Sequence, residues 1–236
     1  MTDIRKYIVG GFVRDQIRMG SGNHKDIDYA VEAESFDAMR EWIIGQFTSP
    51  TDRIFEDRPE FSTIRARIGR ETFDYVMCRR DGAYSDGRHP DEVFAGTIDD
   101  DLARRDFTMN AIAICEDGSY YDPFGGIADI EAGIIRCVGN AEDRMREDFL
   151  RLMRAARFSI TKGMAIHNDI VEMFGRREFV DGLRYTVSSE RIREEVAKMF
   201  QADTERSIVF FAQFPMMRQA VFGTGQIWMQ ATSAKR

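Results

Sequence analysis

The chain has 236 residues, of which 43% are hydrophobic and 31% charged, and this balance excludes a globally disordered protein. No apolar run approaches the roughly 18–20 residues of a membrane span, and the N-terminal residues lack the apolar core of a signal peptide. The three cysteines follow neither a disulfide framework nor a metal-binding spacing, so we expect a protein of the reducing cytoplasm.

The net charge of −7 does not by itself indicate nucleic-acid binding. Arginine nevertheless outnumbers lysine along the chain, and arginine suits two-pronged contacts with phosphates and bases. Local clusters of charge are therefore more informative than the total.

The first predicted element is a short strand at residues 7–9, which breaks on Gly10 and Gly11 before a stretch compatible with a helix. A glycine pair after a strand lets backbone N–H groups approach an anion, and the start of a helix adds partial positive charge. Further along, Asp26 and Asp28 alternate, which places both carboxylates on one side of a strand. This combination favours a nucleotide with Mg²⁺, and the alternative is an ordinary turn followed by solvated aspartates.

A helix and a hairpin are predicted next. Apolar residues at helical spacing indicate a helix over Phe36–Phe47, with Ser35 as its N-cap. The segments Phe61–Ile68 and Glu71–Cys78 are predicted to be two strands joined by a two-residue turn. Asp74, in the second strand, is a candidate third carboxylate of the metal site, and the alternative is a strand residue that faces water.

The stretch Gly82–Thr97 is polar and rich in turn residues, which predicts a long loop that is functional or mobile. Beyond it, Arg104, Arg105 and Asp106 are candidates for holding a triphosphate and a ribose, with a surface salt-bridge cluster as the alternative. A strand is predicted at Ser119–Asp122, where a turn follows. The three histidines show no zinc-binding spacing.

From residue 137 onward the pattern becomes helical, and we place the domain boundary there. A helix over Glu142–Ile160 is predicted to bury one apolar face. Its other face carries residues spaced three apart, which are neighbours on a helix: Asp148, Arg151, Arg154 and Arg157. One acid followed by three arginines favours contact with a ligand over a solvated face, where the signs normally mix.

The remainder of the chain is predicted to be helical as well. A further helix begins near Ser188 or Ser189, either of which suits an N-cap. The segment Ser207–Trp228 is rich in phenylalanine and methionine, which is typical of a core or an interface.

Six separate motifs occur in the order that is found in class II tRNA nucleotidyltransferases, which comprise the CCA-adding enzymes and the related bacterial poly(A) polymerases. The chain resembles this family over roughly residues 7–200. The motifs are Gly10-Gly11-x-Val13-Arg14-Asp15, Asp26-Ile27-Asp28, Arg104-Arg105-Asp106-Phe107-Thr108-Met109-Asn110-Ala111, Asp122-Pro123-Phe124-Gly125-Gly126, Glu147-Asp148-x-x-Arg151-x-x-Arg154 and Ser189-Glu190-Arg191. The resemblance implies an α/β (α+β) polymerase-β-like nucleotidyltransferase head with a mixed sheet at residues 1–136, followed by an α-helical neck and shortened body at residues 137–236.

The resemblance also implies an activity, which is template-independent transfer from CTP and ATP to the 3′ end of tRNA with release of pyrophosphate. Asp26 and Asp28 would bind two Mg²⁺ ions, with Asp74 as a candidate third catalytic carboxylate. Triphosphate and sugar would be bound by a set of residues in the first half of the chain: Gly10, Gly11, Arg14, Arg105, Asp106 and Asn110. Asp148 and Arg151 would pair with the Watson–Crick edge of the base, and Arg154 and Arg157 would shape that pocket or bind phosphate. Gly82–Thr97 corresponds to the family's flexible loop.

Members of this family normally continue into body and tail domains that grip the tRNA, for which the residues after the last motif leave little room. We therefore expect a minimal enzyme, a homodimer formed through the Phe/Met-rich C-terminus, or a different RNA. Poly(A) addition to general RNA is the alternative activity. A catalytically silent RNA- or nucleotide-binding module is the alternative of another class.

Overall fold

The computed structural model describes residues 4–20, 27–82 and 92–223, and within these ranges no helix has both the length and the apolar character that crossing a membrane requires. The chain divides into two compact units, Met1–Glu147 and Asp148–Arg236. Asp26 and most of the predicted loop Gly82–Thr97 lie outside the described residues.

The first unit combines strands and helices. In chain order they are β1 (Arg5–Val9), α1 (Gly11–Met19), β2 (Ile27–Glu32), α2 (Phe36–Ile44), β3 (Arg53–Arg58), β4 (Thr63–Ile68), β5 (Glu71–Met77), β6 (Arg79–Asp81), β7 (Val93–Ala95), α3 (Ile98–Ala103), β8 (Ala113–Ile114), β9 (Tyr120–Tyr121), α4 (Gly126–Ala132), β10 (Ile134–Ile135) and α5 (Ala141–Glu147).

Seven of these strands form one sheet in the order β3-β4-β5-β2-β1-β8-β9. Strands β2 and β5 are parallel and the other neighbours are antiparallel, so the predicted mixed sheet is confirmed. Side chains alternate between the two faces of a strand, and each face of this sheet carries its own apolar cluster. One cluster includes Ala30 and Leu102, and the other includes Val31, Met39 and Ile64.

Local sequence signals predicted the elements near the sheet, although some of these elements are shorter than predicted. The Ser35 hydroxyl accepts a hydrogen bond from the Ala38 N–H at 3.1 Å, as predicted for the N-cap of α2, although that helix ends at Ile44, where Gly45 follows. The predicted hairpin is β4 and β5, with Gly69 at a φ of +64° in the turn. The last strand of the sheet is shorter than predicted, because the Asp122 carboxylate instead accepts from the Gly126 and Ile127 N–H groups at 2.7 and 2.9 Å, where α4 begins.

Helix α5 groups with the first unit, whereas the change of pattern placed the domain boundary at residue 137. Hydrogen bonds attach residues 136–138, which precede α5, to the chain around Asp106. The Thr108 N–H donates to the Arg136 carbonyl at 2.9 Å, and the Val138 N–H donates to the Asp106 carbonyl at 3.3 Å. Arg144 Nε then reaches back to the Val138 carbonyl at 3.3 Å, so α5 is fixed to this segment.

The second unit is mainly helical. It contains α6 (Leu150–Lys162), β11 (Ala165–Ile166), α7 (Asn168–Met173), α8 (Arg177–Thr186), α9 (Ser189–Ala202), α10 (Thr204–Gln213) and α11 (Pro215–Phe222). Phe210, Phe211 and Met217 are buried, and the ring of Phe174 contacts those of Phe210 and Phe214. The described part of the Phe/Met-rich segment therefore contributes to the core of its own unit.

The predicted continuous helix over Glu142–Ile160 is wrong, because the chain forms α5 and α6 with Asp148 and Phe149 between them. The Asp148 carboxylate accepts from the Leu150 N–H at 3.0 Å. A side-chain acceptor two residues away competes with helical backbone bonds, which favours a new helix start. Hydrophobic periodicity does not detect this competition, because the apolar residues keep the same spacing on both sides of the break.

Gly126 allows α4 to approach the 3₁₀ turn at Thr108–Asn110. A Cβ atom at this position would lie 2.2 Å from the Thr108 carbonyl oxygen, so Gly126→Ala must displace backbone. We expect the free energy of unfolding to fall by about 1–3 kcal/mol or more, as measured by urea denaturation. Gly45→Ala is the matched control, since its Cβ would have ordinary contacts at 3.4 and 3.5 Å. Equal losses in the two variants would contradict a close approach at Gly126.

Candidate active site

Two acidic side chains lie next to each other on neighbouring strands of the first unit. Asp28 on β2 is paired in register with Asp74 on β5, and because the strands are parallel both side chains lie on the same face of the sheet. Two carboxylates on one face suit a hard divalent cation, which prefers oxygen ligands. Among the residues that the structure describes, no group of three or more metal-binding side chains occurs; Asp26 lies outside that set.

Asp74 also has a cationic partner. Arg65 on β4 donates from Nε and Nη2 to the two carboxylate oxygens of Asp74, each at 2.6 Å. This fork-to-fork contact fixes the orientation of the carboxylate. It leaves lone pairs on both oxygens, since a carboxylate accepts about four hydrogen bonds.

The glycine turn lies against Asp28. Gly10 has a φ of +77°, which side chains rarely permit, and a Cβ there would lie 3.3 Å from Asp28 Oδ2 and 3.4 Å from Arg105 Nη1. Helix α1 begins directly after this turn and carries no acidic residue in its first turn. A helix start without an acidic residue in its first turn, beside an arginine, is a site for an anion. The geometry therefore brings an anion-binding turn and a carboxylate together.

A buried chain of hydrogen bonds connects α1 to the arginine-rich motif. Arg14 donates from Nη1 to Asn110 Oδ1 at 2.7 Å, and its Nε and Nη2 each donate to Asp15 at 2.9 Å. The Asn110 side-chain amide in turn donates to Asp106 Oδ1 at 2.9 Å. Asp106 Oδ1 also accepts from the Phe107 N–H at 2.8 Å. These contacts fix the position of Arg14 relative to the motif.

Arg104 and Arg105 share one buried carboxylate, that of Asp101. Arg105 donates from Nη2 and Nε to Asp101 Oδ2 at 2.8 and 3.2 Å, and Arg104 donates to Oδ1. Burial raises the pKa of Asp101, but the guanidinium groups of Arg105 and Arg104 lower it by a larger amount, so the net shift is downward. Because Arg105 Nη1 also donates to the Asn110 carbonyl at 3.1 Å, its guanidinium is fixed next to the glycine turn.

In the second unit, ion pairs connect α6 and the residues before it to α9. Asp148 lies in the break before α6 and accepts from Arg191 Nη2 at 2.7 Å, and Arg157 on α6 pairs with Glu195. Arg157 also lies over the Phe158 ring, with its guanidinium carbon 3.8 Å from the ring centroid. Arg151 and Arg154 are half-buried on the same helix. The predicted stripe is therefore three arginines on α6, preceded by an aspartate that is not part of the helix.

The sequence analysis missed three residues that orient the predicted ones: Arg65, Asp101 and Glu195. A fourth, Arg191, stands in the last motif, but no role was predicted for it. Asp101 stands three and four residues before Arg104 and Arg105, a spacing that indicates contact on a helix. That signal was available in the sequence, whereas the Arg65–Asp74 and Arg157–Glu195 contacts depend on how separate elements pack.

Replacing Asp101 with Asn would leave two guanidinium groups without their buried carboxylate. Breaking a buried ion pair costs about 3–5 kcal/mol, and we expect the free energy of unfolding at pH 7 to fall by about that amount. Since the folded-state pKa of Asp101 is lowered, this contribution is fully present above the unfolded-state pKa near pH 4 and is lost as the pH falls through the folded-state value.

Urea unfolding of the wild type and Asp101→Asn at pH 7, and again between about pH 3 and 5, measures this difference. The control is Glu131→Gln, which removes an exposed carboxylate from α4. A difference between wild type and Asp101→Asn that grows on acidification would contradict the assignment.

Comparisons with known proteins agree with this geometry. The sequence profile of the poly A polymerase head domain matches residues 6–136. A CCA-adding enzyme of Oceanobacillus iheyensis is 38% identical over 197 residues, which are 83% of this chain and 46% of the relative. A CCA-adding enzyme of Bacillus subtilis is 34% identical over 201 residues, which are 85% of this chain and 47% of the relative. The chain therefore spans about half the length of these curated relatives.

A solved structure shows the same fold. The Bacillus stearothermophilus CCA-adding enzyme in complex with CTP superimposes with a TM-score of 0.75 and 29% identity, covering 94% of this chain and 53% of that one. The head-domain match alone covers more than half of the present chain. The chain therefore belongs to the poly A polymerase head domain family of nucleotidyltransferases, which typically use a divalent metal, and its first unit has the polymerase-β-like fold of that family.

Proposed function

We propose that this chain adds C and A to the 3′ end of tRNA without a nucleic-acid template, using CTP and ATP and releasing pyrophosphate. The observation that carries the proposal is that Asp28 and Arg105 both lie against the Gly10 turn, which puts a carboxylate beside an anion-binding helix start. The relatives named CCA-adding enzyme, including one bound to CTP, support the same choice of substrate. The proposed parts are a catalytic head at residues 1–136 and a nucleotide-selecting, RNA-binding neck and shortened body at residues 137–236.

The triphosphate is proposed to bind where α1 begins. Backbone N–H groups at Gly10 and Gly11 face it, and Arg14 and Arg105 supply positive charge whose position is fixed by neighbouring side chains. Arg105 and Asp106 would contact phosphate and sugar, and Asn110 keeps Arg14 and Asp106 in one network.

Two Mg²⁺ ions are proposed as cofactors, held by Asp26 and Asp28 with Asp74 beside them; when bound, they neutralise developing charge on the attacking and leaving oxygens. Asp28 and Asp74 supply oxygen donors from adjacent strands. Arg65 keeps the Asp74 carboxylate in a single orientation.

Base selection is proposed to reside at Asp148 and Arg151. A carboxylate accepts from an exocyclic amino group, which both C and A carry, while an arginine donates to the adjacent ring acceptor. UTP and GTP would place a carbonyl against Asp148 and leave charged groups unpaired. Arg191 orients the Asp148 carboxylate, and Arg154 and Arg157 would shape the same pocket.

The direct test is incubation of the purified chain with labelled CTP or ATP and tRNAs lacking CCA, CA or A, followed by sequencing of the 3′ ends. We expect growth to a complete CCA end and then arrest. Long A tails on RNAs of any fold would instead establish poly(A) polymerase activity, which the name of the matching head domain keeps open. A homodimer through the C-terminal segment stays a prediction, to be tested by analytical ultracentrifugation.

Asp28→Asn keeps the size of the side chain and removes its charge. Because catalysis with bound metals depends on that charge, we expect turnover to fall on the order of a thousandfold or more, measured as labelled nucleotide incorporated per enzyme. Asp117→Asn, which changes an exposed carboxylate, should leave turnover unchanged. If the wild-type chain is a silent binding module, it binds RNA and nucleotide but shows no turnover. That outcome would refute the proposal.

Asp148→Ala removes the proposed acceptor for the exocyclic amino group. We expect the preference for CTP over UTP, measured as the ratio of kcat/KM values, to fall by roughly ten- to a hundredfold, as the loss of a charged hydrogen bond predicts. Asp169→Ala is the control, because that carboxylate is exposed in the same unit. Unchanged selectivity in a folded Asp148→Ala protein would remove the template role from this residue.

A further inference from the structure

The half of the sheet formed by β3, β4 and β5 has one face covered by an apolar cluster, and among the described residues the side chains of its other face are exposed or half-buried. The covered face contributes Ile64, Ala66 and Tyr75 to an apolar cluster. The register places on the opposite face four arginines and two carboxylates, all exposed or half-buried: Arg53, Arg58, Arg65, Arg67, Glu56 and Asp74. We refer to this surface as the arginine face.

The arginine face carries a local excess of positive charge in a chain whose net charge is −7. Arg65 is paired with Asp74, and Arg58 lies 3.2 Å from Glu56. Arg53 and Arg67 form no salt bridge with any residue that the structure describes. Arg67 Nε instead donates to the Gly69 carbonyl at 3.3 Å. Arg67 also interacts electrostatically with Asp52. Because neither guanidinium is in a salt bridge with a described residue, both can still contact an anionic partner.

The arginine face is continuous with the candidate active site. One row of paired residues crosses the sheet from Arg65 on β4 through Asp74 on β5 to Asp28 on β2. Strands in a sheet are about 4.8 Å apart, so Arg65 stands two strands, or about 10 Å, from Asp28. That distance matches one or two nucleotides of an extended strand, and β3 continues the surface outward.

An aromatic side chain adds to the surface at β3. The pairing shifts between Ile54 and Glu56, which leaves Phe55 as the extra residue of a bulge. Phe55 is 44% exposed, and the guanidinium carbon of Arg53 lies 4.7 Å from its ring centroid. An exposed ring beside arginines is a platform on which a nucleobase stacks.

We propose that the arginine face binds the phosphates of the RNA strand that leads to the reacting 3′-hydroxyl, with Arg53 and Arg67 as phosphate contacts and Phe55 as a stacking partner. This inference rests on the proposed function, because it takes Asp28 as the point that the 3′ end must reach. A symmetric contact between two copies would bring arginines against arginines, so the charges favour a polyanion over such a dimer. A bulged edge strand carrying charged residues also disfavours strand pairing between copies.

The test measures binding without catalysis. A short, fluorescein-labelled single-stranded RNA ending in CC is titrated with the full chain by fluorescence anisotropy at several salt concentrations. We expect Arg53→Gln and Arg67→Gln each to weaken binding roughly fivefold, and the double variant to lower the slope of log K against log salt by about 1.4, or about 0.7 for each phosphate contact.

Three controls separate this effect from general damage. Arg53→Lys/Arg67→Lys keeps both charges and should restore most of the affinity. Arg40→Gln removes one exposed charge on the opposite side of the sheet, where Arg40 pairs with Asp57, and should bind RNA as wild type does. Affinity for CTP should be equal in all variants, because none touches the Gly10 turn.

The outcomes distinguish this inference from the proposed function. If the wild-type chain binds neither the RNA nor CTP, both fail. If it binds the RNA and the double glutamine variant binds equally tightly with the same salt slope, only the arginine face is wrong. A change in sedimentation of that variant, with RNA affinity intact, would make the face an interface between copies and would also overturn the inference.

Discussion

The candidate site depends on placing two carboxylates side by side. Asp28 and Asp74 occupy paired positions on parallel strands, where like charges opposite each other destabilise a sheet unless cations compensate. Arg65 compensates at Asp74, and Arg105 lies near Asp28 at the Gly10 turn. The same repulsion would favour a divalent cation between the carboxylates, so the proposed metal would offset a cost that the free protein bears.

Several arginines in the described part of the chain are oriented by acidic or amide partners. Asp101 is buried and orients Arg104 and Arg105, while Asp15 and Asn110 together orient Arg14. In the second unit Arg191 and Arg157 are paired with Asp148 and Glu195. Each pairing lowers the entropic cost of binding a ligand, because the arginine side chain has already lost its conformational freedom when the protein folds. An acidic chain can therefore present positive groups at defined places, which its net charge conceals.

Sequence reasoning succeeded where a cap or a turn follows from residue types, and it failed where a specific side-chain contact or strand pairing decides the structure. The Ser35 cap and the turn between β4 and β5 depend on a few adjacent residues, and both were predicted. The break at Asp148 was missed, because periodicity counts apolar residues and ignores a carboxylate that accepts from the backbone two residues on. Asp74 was recognised as a candidate, but its neighbour across the sheet follows from a parallel register between strands more than 40 residues apart in sequence.

Arg65 connects the carboxylates to the surface that extends from them. Its guanidinium donates both of its forked contacts to Asp74, yet its side chain remains 43% exposed on the arginine face. The forked contact with Asp74 uses two of the five donors of a guanidinium, so one cation both orients a carboxylate and borders the arginine face. The carboxylates and the arginine face form one continuous row of charge, because the parallel register of β2 with β5 and the antiparallel register of β4 with β5 place Asp28, Asp74 and Arg65 side by side.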